Sequence, residues 1–255
     1  MYKRILLPVS NPRNAEYTLK AALQLLDPDG TIVLLSVVGT REDYPDRTRS
    51  YRKKTNLVVR LMKSVSPDRA EVVPEIMLSS SIRDTILSQI STHNIDLTIL
   101  GYSLQSTLHK IRYGDIIYPL MKDAQSDVIL ANLKYESMFN RILVPSAGYK
   151  HSLHAVDVAR ALAEKAQGHI TLLHVTERSG SDVQADLQRL ASTYENVDIV
   201  VQSGPVADQI IETAKDYDII IMGASERPRG ASVIFGTVVD RVIEHVGKNI
   251  FVVRA

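Results

Sequence analysis

The feature that most constrains this chain is a layout that occurs twice: a short apolar run ending in glycine, a polar loop, and a second glycine opening an amphipathic run. It reads Asp96-Leu-Thr-Ile-Leu-Gly101 followed by Gly114-Asp115, then Asp218-Ile-Ile-Ile-Met-Gly223 followed by Gly236-Thr237. Both glycines recur 122 positions later, so the copies are in register. Unbroken Ile, Leu and Val runs this short read as strands buried on both faces, as in a parallel sheet covered by helices. A helix opening after such a loop turns its free N–H groups toward the loop, where an anion can sit.

The remaining segments fall into the same two copies. First strands are Arg4-Ile-Leu-Leu-Pro-Val9 and Arg141-Ile-Leu-Val-Pro-Ser146. Apolar spacing predicts helices over 15–26 and 153–166. Second strands follow at 31–38 and 170–175, after turns at Pro28-Asp29-Gly30 and Gln167-Gly168. A long helix with a basic start then carries Leu57, Val58, Leu61, Met62 and Val65, matched in copy two by a shorter helix over about 183–194. Third strands are expected at 71–77 and 197–201, with Pro74 marking the former as an edge or irregular strand. Capped amphipathic helices follow Ser80-Ser81 and Gly204-Pro205. Fourth helices span 114–124 and 236–246, fifth strands 127–131 and 249–253, and 134–140 is the linker.

Strict alternation of strand and helix predicts open parallel sheets, helices on both faces and right-handed crossovers. A chain of 255 residues exceeds what one such core needs, so two domains are expected, 1–134 and 140–255. This architecture places ligands at the carboxyl ends of the strands, where the strand order reverses, and both glycine loops lie there.

Composition narrows the function. Hydrophobic residues are 45% and charged residues 23%, an ordinary globular balance, and the net charge of +1 offers no electrostatic reason to expect a nucleic-acid binder. The absence of cysteine excludes disulfides, thiolate metal sites and cysteine nucleophiles. No apolar stretch approaches the roughly 20 residues that span a bilayer, and the N-terminus lacks a signal-peptide pattern, so a cytoplasmic protein is the expectation.

Taken together, the Ile-Leu-Leu/Val-Pro openings, Leu172-Leu-His-Val175, Gly204-Pro205, Asp218-to-Gly223 and the run from Gly236 to Val253 resemble a tandem universal stress protein, two such domains covering essentially the whole chain. The resemblance implies two doubly wound five-stranded parallel-sheet domains of the adenine nucleotide alpha hydrolase-like kind, strand order 3-2-1-4-5. It implies pairing of the two domains through their fifth strands, or a homodimer, and in many members ATP or AMP in the crevice. Carried onto copy two, the ligand residues are Pro145, Ser146 and Ala147 after strand one, Val175 after strand two, Gly223, Ala224, Ser225 and Arg229 in the loop, and Gly236, Thr237 and Val238 at the helix start. No metal is implied beyond nucleotide-associated Mg.

The family's motif is a glycine, a second three residues on, and a third ten later followed by Ser or Thr. Copy two keeps Gly223, Gly236 and Thr237, but Glu226 replaces the middle glycine, and the acidic residue expected near Ser146 or Ala147 is missing. A carboxylate there repels phosphate oxygens, and Arg227 or Arg229 turned inward would offset it. Copy one keeps Gly101 and Gly114 but has Leu104 and Asp115 at the other two places; Asp115 is a good N-cap and a poor phosphate ligand. Val-Pro-Ser-Ala-Gly148 with Gly-Ala-Ser-Glu226 further resembles universal stress domains attached to membrane transporters.

Copy two is therefore expected to hold an adenine nucleotide in a non-catalytic regulatory protein, with a ligand-free interaction module, such as the cytosolic regulatory part of a transporter, as the alternative. His151 and His154 lie at helical spacing without a third ligand, and zinc sites use at least three. The basic run 47–54 is read as a solvated helix face. No phosphate loop, dinucleotide fingerprint or nucleophile elbow is present, so no catalytic residue is assigned; slow ATP hydrolysis is the one activity the resemblance leaves open.

Overall fold

The computed structural model describes residues 2–10, 12–40, 47–101, 116–117, 119–120, 122–132, 139–146, 150–176, 188, 192, 197–224 and 237–254. The chain divides into two compact units, Met1–Ala131 and Asn132–Ala255.

In the first unit the strands are β1 (Tyr2–Pro8), β2 (Leu26–Gly39), β3 (Glu71–Ser79), β4 (Leu97–Gly101) and β5 (Asp127–Asn132). They form a parallel sheet in the order β3-β2-β1-β4-β5. Helices α1 (Pro12–Leu25), α2 (Arg47–Lys63) and α3 (Ile82–Thr92) connect them. Residues 116–117, 119–120 and 122–123 are also helical, within the span expected for a fourth helix. The apolar runs read as buried strands are buried: Ile5, Leu6, Leu7, Ile32, Leu34, Leu97 and Ile99 have no exposure. Each such side chain contributes about 1.5–3 kcal/mol of apolar burial.

The expected turn at Pro28-Asp29-Gly30 is instead a bulge inside β2. Pairing with β1 jumps from Tyr2↔Leu26 to Arg4↔Thr31, and Asp29 takes φ 62° to carry the backbone across. Pro74 lies in β3, which pairs with β2 and forms the sheet margin, the place where a missing N–H is tolerated. Helix α3 is capped as expected: the Ser81 hydroxyl oxygen accepts from the Asp84 N–H at 3.2 Å.

The second unit repeats the plan. Its strands are β6 (Arg141–Pro145), β7 (His169–Thr176), β8 (Val197–Ser203), β9 (Ile219–Gly223) and β10 (Asn249–Arg254). They too are parallel, in the order β8-β7-β6-β9-β10. Its helices are α4 (Lys150–Ala166), α5 (Val206–Thr213) and α6 (Thr237–His245). Helix α4 packs along β6, β9 and β10, while α5 and α6 pack on each other, joined by an Arg241–Asp208 ion pair at 2.7 Å. The helix expected over 183–194 lies outside the described residues, apart from two helical positions, 188 and 192. Helix α5 lacks the side-chain cap expected after Gly204, because Pro205 holds the N-cap position and has no acceptor to offer.

The end of the expected linker belongs to the second core. Phe139 is buried, and its ring lies 6.3 Å from that of Phe251. Its carbonyl explains Gly168, since a Cβ there would stand 2.2 Å from the Phe139 oxygen.

Candidate functional site

In each unit the strand order reverses between the first and fourth strands, so the crevice at their carboxyl ends is where a ligand fits. In the second unit β6 pairs β9 through Ile142↔Ile219 and Leu143↔Ile220. Extending that register puts Ser146 level with Gly223. The β6–β7 register, ending at Pro145↔Leu173, puts His174 on the same level and Val175 one step farther out. Pro145, Ser146, Val175, Gly223 and Ala224 therefore share one edge of the sheet.

Two hydrogen bonds pin the first of these residues. The Ser146 N–H donates to the Leu173 carbonyl at 2.9 Å, and the buried His174 holds its Nδ1 at 3.0 Å from the Ser146 carbonyl. A carbonyl only accepts, so Nδ1 carries the proton. The first unit uses the same geometry with a smaller group: Val9 N–H donates to Leu35 O at 2.7 Å, and the buried Ser36 hydroxyl donates to Val9 O at 3.1 Å. His174 thus holds the first-strand terminus in place.

The expected ligand residues differ in what they can offer. Thr237 is exposed at the first position of α6 and Val238 is half-buried behind it, at the end of a helix where N–H groups have no intrahelical acceptor. Gly223 and Val175 are half-exposed at the crevice edge. Ala224 is buried and its N–H donates to the Val253 carbonyl at 2.8 Å, and the Ser146 N–H is committed to β7; neither amide is available to a phosphate. Ala147, Ser225, Arg229 and Gly236 lie outside the described residues, as do Glu226 and Arg227.

In the first unit Gly101 has a packing reason. A Cβ on it would lie 3.3 Å from Thr18 Oγ1 and 3.6 Å from the Asn14 Cβ, so the missing side chain lets α1 approach the end of β4. Thr18 itself is turned back on its helix, donating to the Asn14 carbonyl at 2.5 Å. Leu104, Gly114 and Asp115 lie outside the described residues.

The aspartates opening the repeated motif act at the opposite, amino-terminal end of the sheets. Asp96 Oδ2 accepts from the Lys3 and Arg4 N–H groups, each at 2.9 Å, and Asp218 Oδ2 accepts from the Arg141 N–H at 2.9 Å. They register the fourth strand against the first, at the end of each sheet opposite the crevice.

One crevice residue escapes the sequence reading. Lys54, in the run read as a solvated face, turns inward from α2, and its Nζ donates to the Val37 carbonyl near the carboxyl end of β2. Desolvation by burial lowers its pKa below the ordinary 10.5. The clue lay in spacing: Lys54 precedes Leu57, Val58 and Leu61 by three, four and seven residues, on the helix's apolar stripe. Among the described residues no group of three His, Asp or Glu side chains is placed to hold a metal ion, and no helix is long and apolar enough to cross a membrane.

The model of the universal stress protein family matches residues 1–132, 138–195 and 179–254. No curated protein matches the sequence. Among solved structures, a universal stress protein from Archaeoglobus fulgidus matches with a TM-score of 0.71 at 19% identity, over 98% of this chain and 96% of that one. A putative universal stress protein from Pseudomonas aeruginosa matches with a TM-score of 0.66 at 17% identity, over 98% and 92%. The cytoplasmic domain of a prokaryotic cation chloride cotransporter matches with a TM-score of 0.67 at 14% identity, over 100% and 96%. At such identities the likeness is one of fold.

Proposed function

The chain belongs to the universal stress protein family, and from that premise we propose that it is a non-catalytic regulatory protein with one universal stress domain per compact unit, the second holding an adenine nucleotide, ATP or AMP. The observation that supports this reading is the pinned first-strand terminus of the second unit together with a helix, α6, whose first residue, Thr237, is exposed. Ser146, His174 and Gly223 stand level at the crevice, and Thr237 presents its hydroxyl at the head of α6. Gly223, Thr237 and Val238 would serve the phosphates; Pro145 and Val175 would line the base and ribose end. Ser225, Arg229, Gly236 and Ala147 complete the proposed set from the loop and the first-strand end. Ser146 and Ala224 would frame the site through their side chains or carbonyls, because their amides are spent in the sheet. Any Mg would come with the nucleotide.

The test is isothermal titration of folded, ligand-free protein with ATP, AMP and a cyclic dinucleotide. Saturable heat with ATP or AMP supports the reading, and no heat with any of them removes it. Hydrolysis would require phosphate release from ATP that is abolished by Thr237→Ala.

A second reading is a ligand-free interaction module working on the cytoplasmic side of a membrane transporter and self-associating through a fifth strand. Its support is the fold shared with a cotransporter's cytoplasmic domain and the tight tying of Ser146 and Ala224 into the sheet. Co-purification with a transporter, with no nucleotide bound, would favour it over the first.

A further inference from the structure

The crevice of the first unit lacks most of the nucleotide motif, yet it holds an ammonium group. Strand β1 pairs β2 up to Pro8↔Leu35, and the Val9 N–H closes on the Leu35 carbonyl. Carbonyls two apart on a strand point the same way, so the Val37 carbonyl also faces the first strand, beyond its last pairing residue. Lys54 Nζ donates to that carbonyl and so sits at the carboxyl edge beside the point where strand order reverses. The exposed Ser10 lies level with Val37 by the same register.

A half-buried ammonium normally has a carboxylate partner, because desolvating a charge without compensation is costly. Among the described residues none forms an ion pair with Lys54; its hydrogen bond to Val37 leaves two of its three N–H protons for another acceptor. Helix α2, Arg47–Lys63, contains seven Lys and Arg and no Asp or Glu, so its own neighbours deepen the positive potential. The lowered pKa has the same origin, burial unrelieved by an opposite charge.

We propose that Lys54 makes the carboxyl edge of the first unit a binding site for a small oxyanion, a phosphate group either free or carried on a small ester. The anion supplies the missing counter-charge, with the Lys54 ammonium and the Ser10 hydroxyl as its donors. This site stands apart from the proposed nucleotide site and does not depend on it.

The test is isothermal titration of phosphate-free protein with inorganic phosphate and with methyl phosphate, the two arms separating the free ion from an ester. Wild-type protein is expected to bind at least one of them, Lys54→Met to weaken binding at least tenfold, and Lys54→Arg, which keeps the charge, to retain it within a few-fold. Lys215→Met, which removes an exposed lysine of the second unit paired with Glu212 and outside both proposed sites, is expected to leave phosphate binding unchanged. Absence of binding by wild-type protein, equal binding by Lys54→Met, or an equal loss caused by Lys215→Met would each overturn the proposal. Thermal melts of each variant confirm that it is folded, and Lys54→Arg separates loss of charge from loss of structure.

Discussion

Asp96 and Arg4 exchange hydrogen bonds across the start of the first sheet: the Arg4 N–H donates to Asp96 Oδ2 at 2.9 Å, and the Asp96 N–H returns to the Arg4 carbonyl at 3.0 Å. Asp218 and Arg141 repeat the exchange in the second unit, both bonds at 2.9 Å. The residue opening each glycine motif is thus a clamp between the first and fourth strands. Asp96→Ala is expected to cost about 1.5–3 kcal/mol, the range for hydrogen bonds to a charged acceptor. Asp96→Asn, which keeps an acceptor oxygen, should cost less than half as much. Urea unfolding of the two variants checks this, and equal losses would show that the charge alone, and not the acceptor oxygen, makes the clamp.

Gly101 and Thr18 are in tight register, so Gly101→Ala is expected to destabilise by roughly 1–3 kcal/mol through overpacking. The atom in the way belongs to Thr18, so Thr18→Ala should recover part of that loss in the double variant. A double-mutant cycle by chemical unfolding reads the coupling, and simple additivity would place the strain elsewhere.

His174→Ala would remove the His174 hydrogen bond to the Ser146 carbonyl, at about 0.5–1.5 kcal/mol. His174→Ser is expected to cost less, because Ser36 makes the equivalent bond in the first unit. If the imidazole's role is to hold the crevice edge, His174→Ala should also weaken adenine nucleotide binding, measured by titration, while His174→Ser retains more of it.

Lys54 carries a pH prediction with a definite sign. Its pKa is lowered on folding by desolvation, so the unfolded chain holds the proton more tightly. Below the folded pKa both states are charged and the fold bears the whole desolvation cost. That cost lifts as pH rises through the folded pKa toward the ordinary 10.5. In phosphate-free buffer, Lys54→Met should melt higher than wild type at pH 7, with the gap narrowing as pH approaches 10.5. A gap that stays constant with pH would contradict it.

Much of this molecule is legible in its residues. The strands announce themselves because parallel strands covered on both faces need unbroken apolar runs, and the helices because Leu57, Val58 and Leu61 recur at their turn. What was not legible depends on partners far away in sequence. Asp96 is paired with residues 92 and 93 positions away, and His174 with a carbonyl 28 positions away. Lys54 sits among basic neighbours that conceal its place on the apolar stripe. Pro28-Asp29-Gly30 has turn composition, yet the strand continues through it, because Asp29 at positive φ lets a bulge absorb the extra residues. Of the expected nucleotide residues, the strand-end positions could be placed by register alone; the availability of their amides could not, since that depends on which neighbouring strand claims them.

Whether the second unit holds an adenine nucleotide at the head of α6, as proposed, is read most directly by titration of folded, nucleotide-free wild type and Thr237→Val with ATP and AMP. Saturable binding to wild type is expected, with a loss of about tenfold or more in the variant, the equivalent of about 1.4 kcal/mol. No binding to wild type, or equal binding to both, would contradict the proposal.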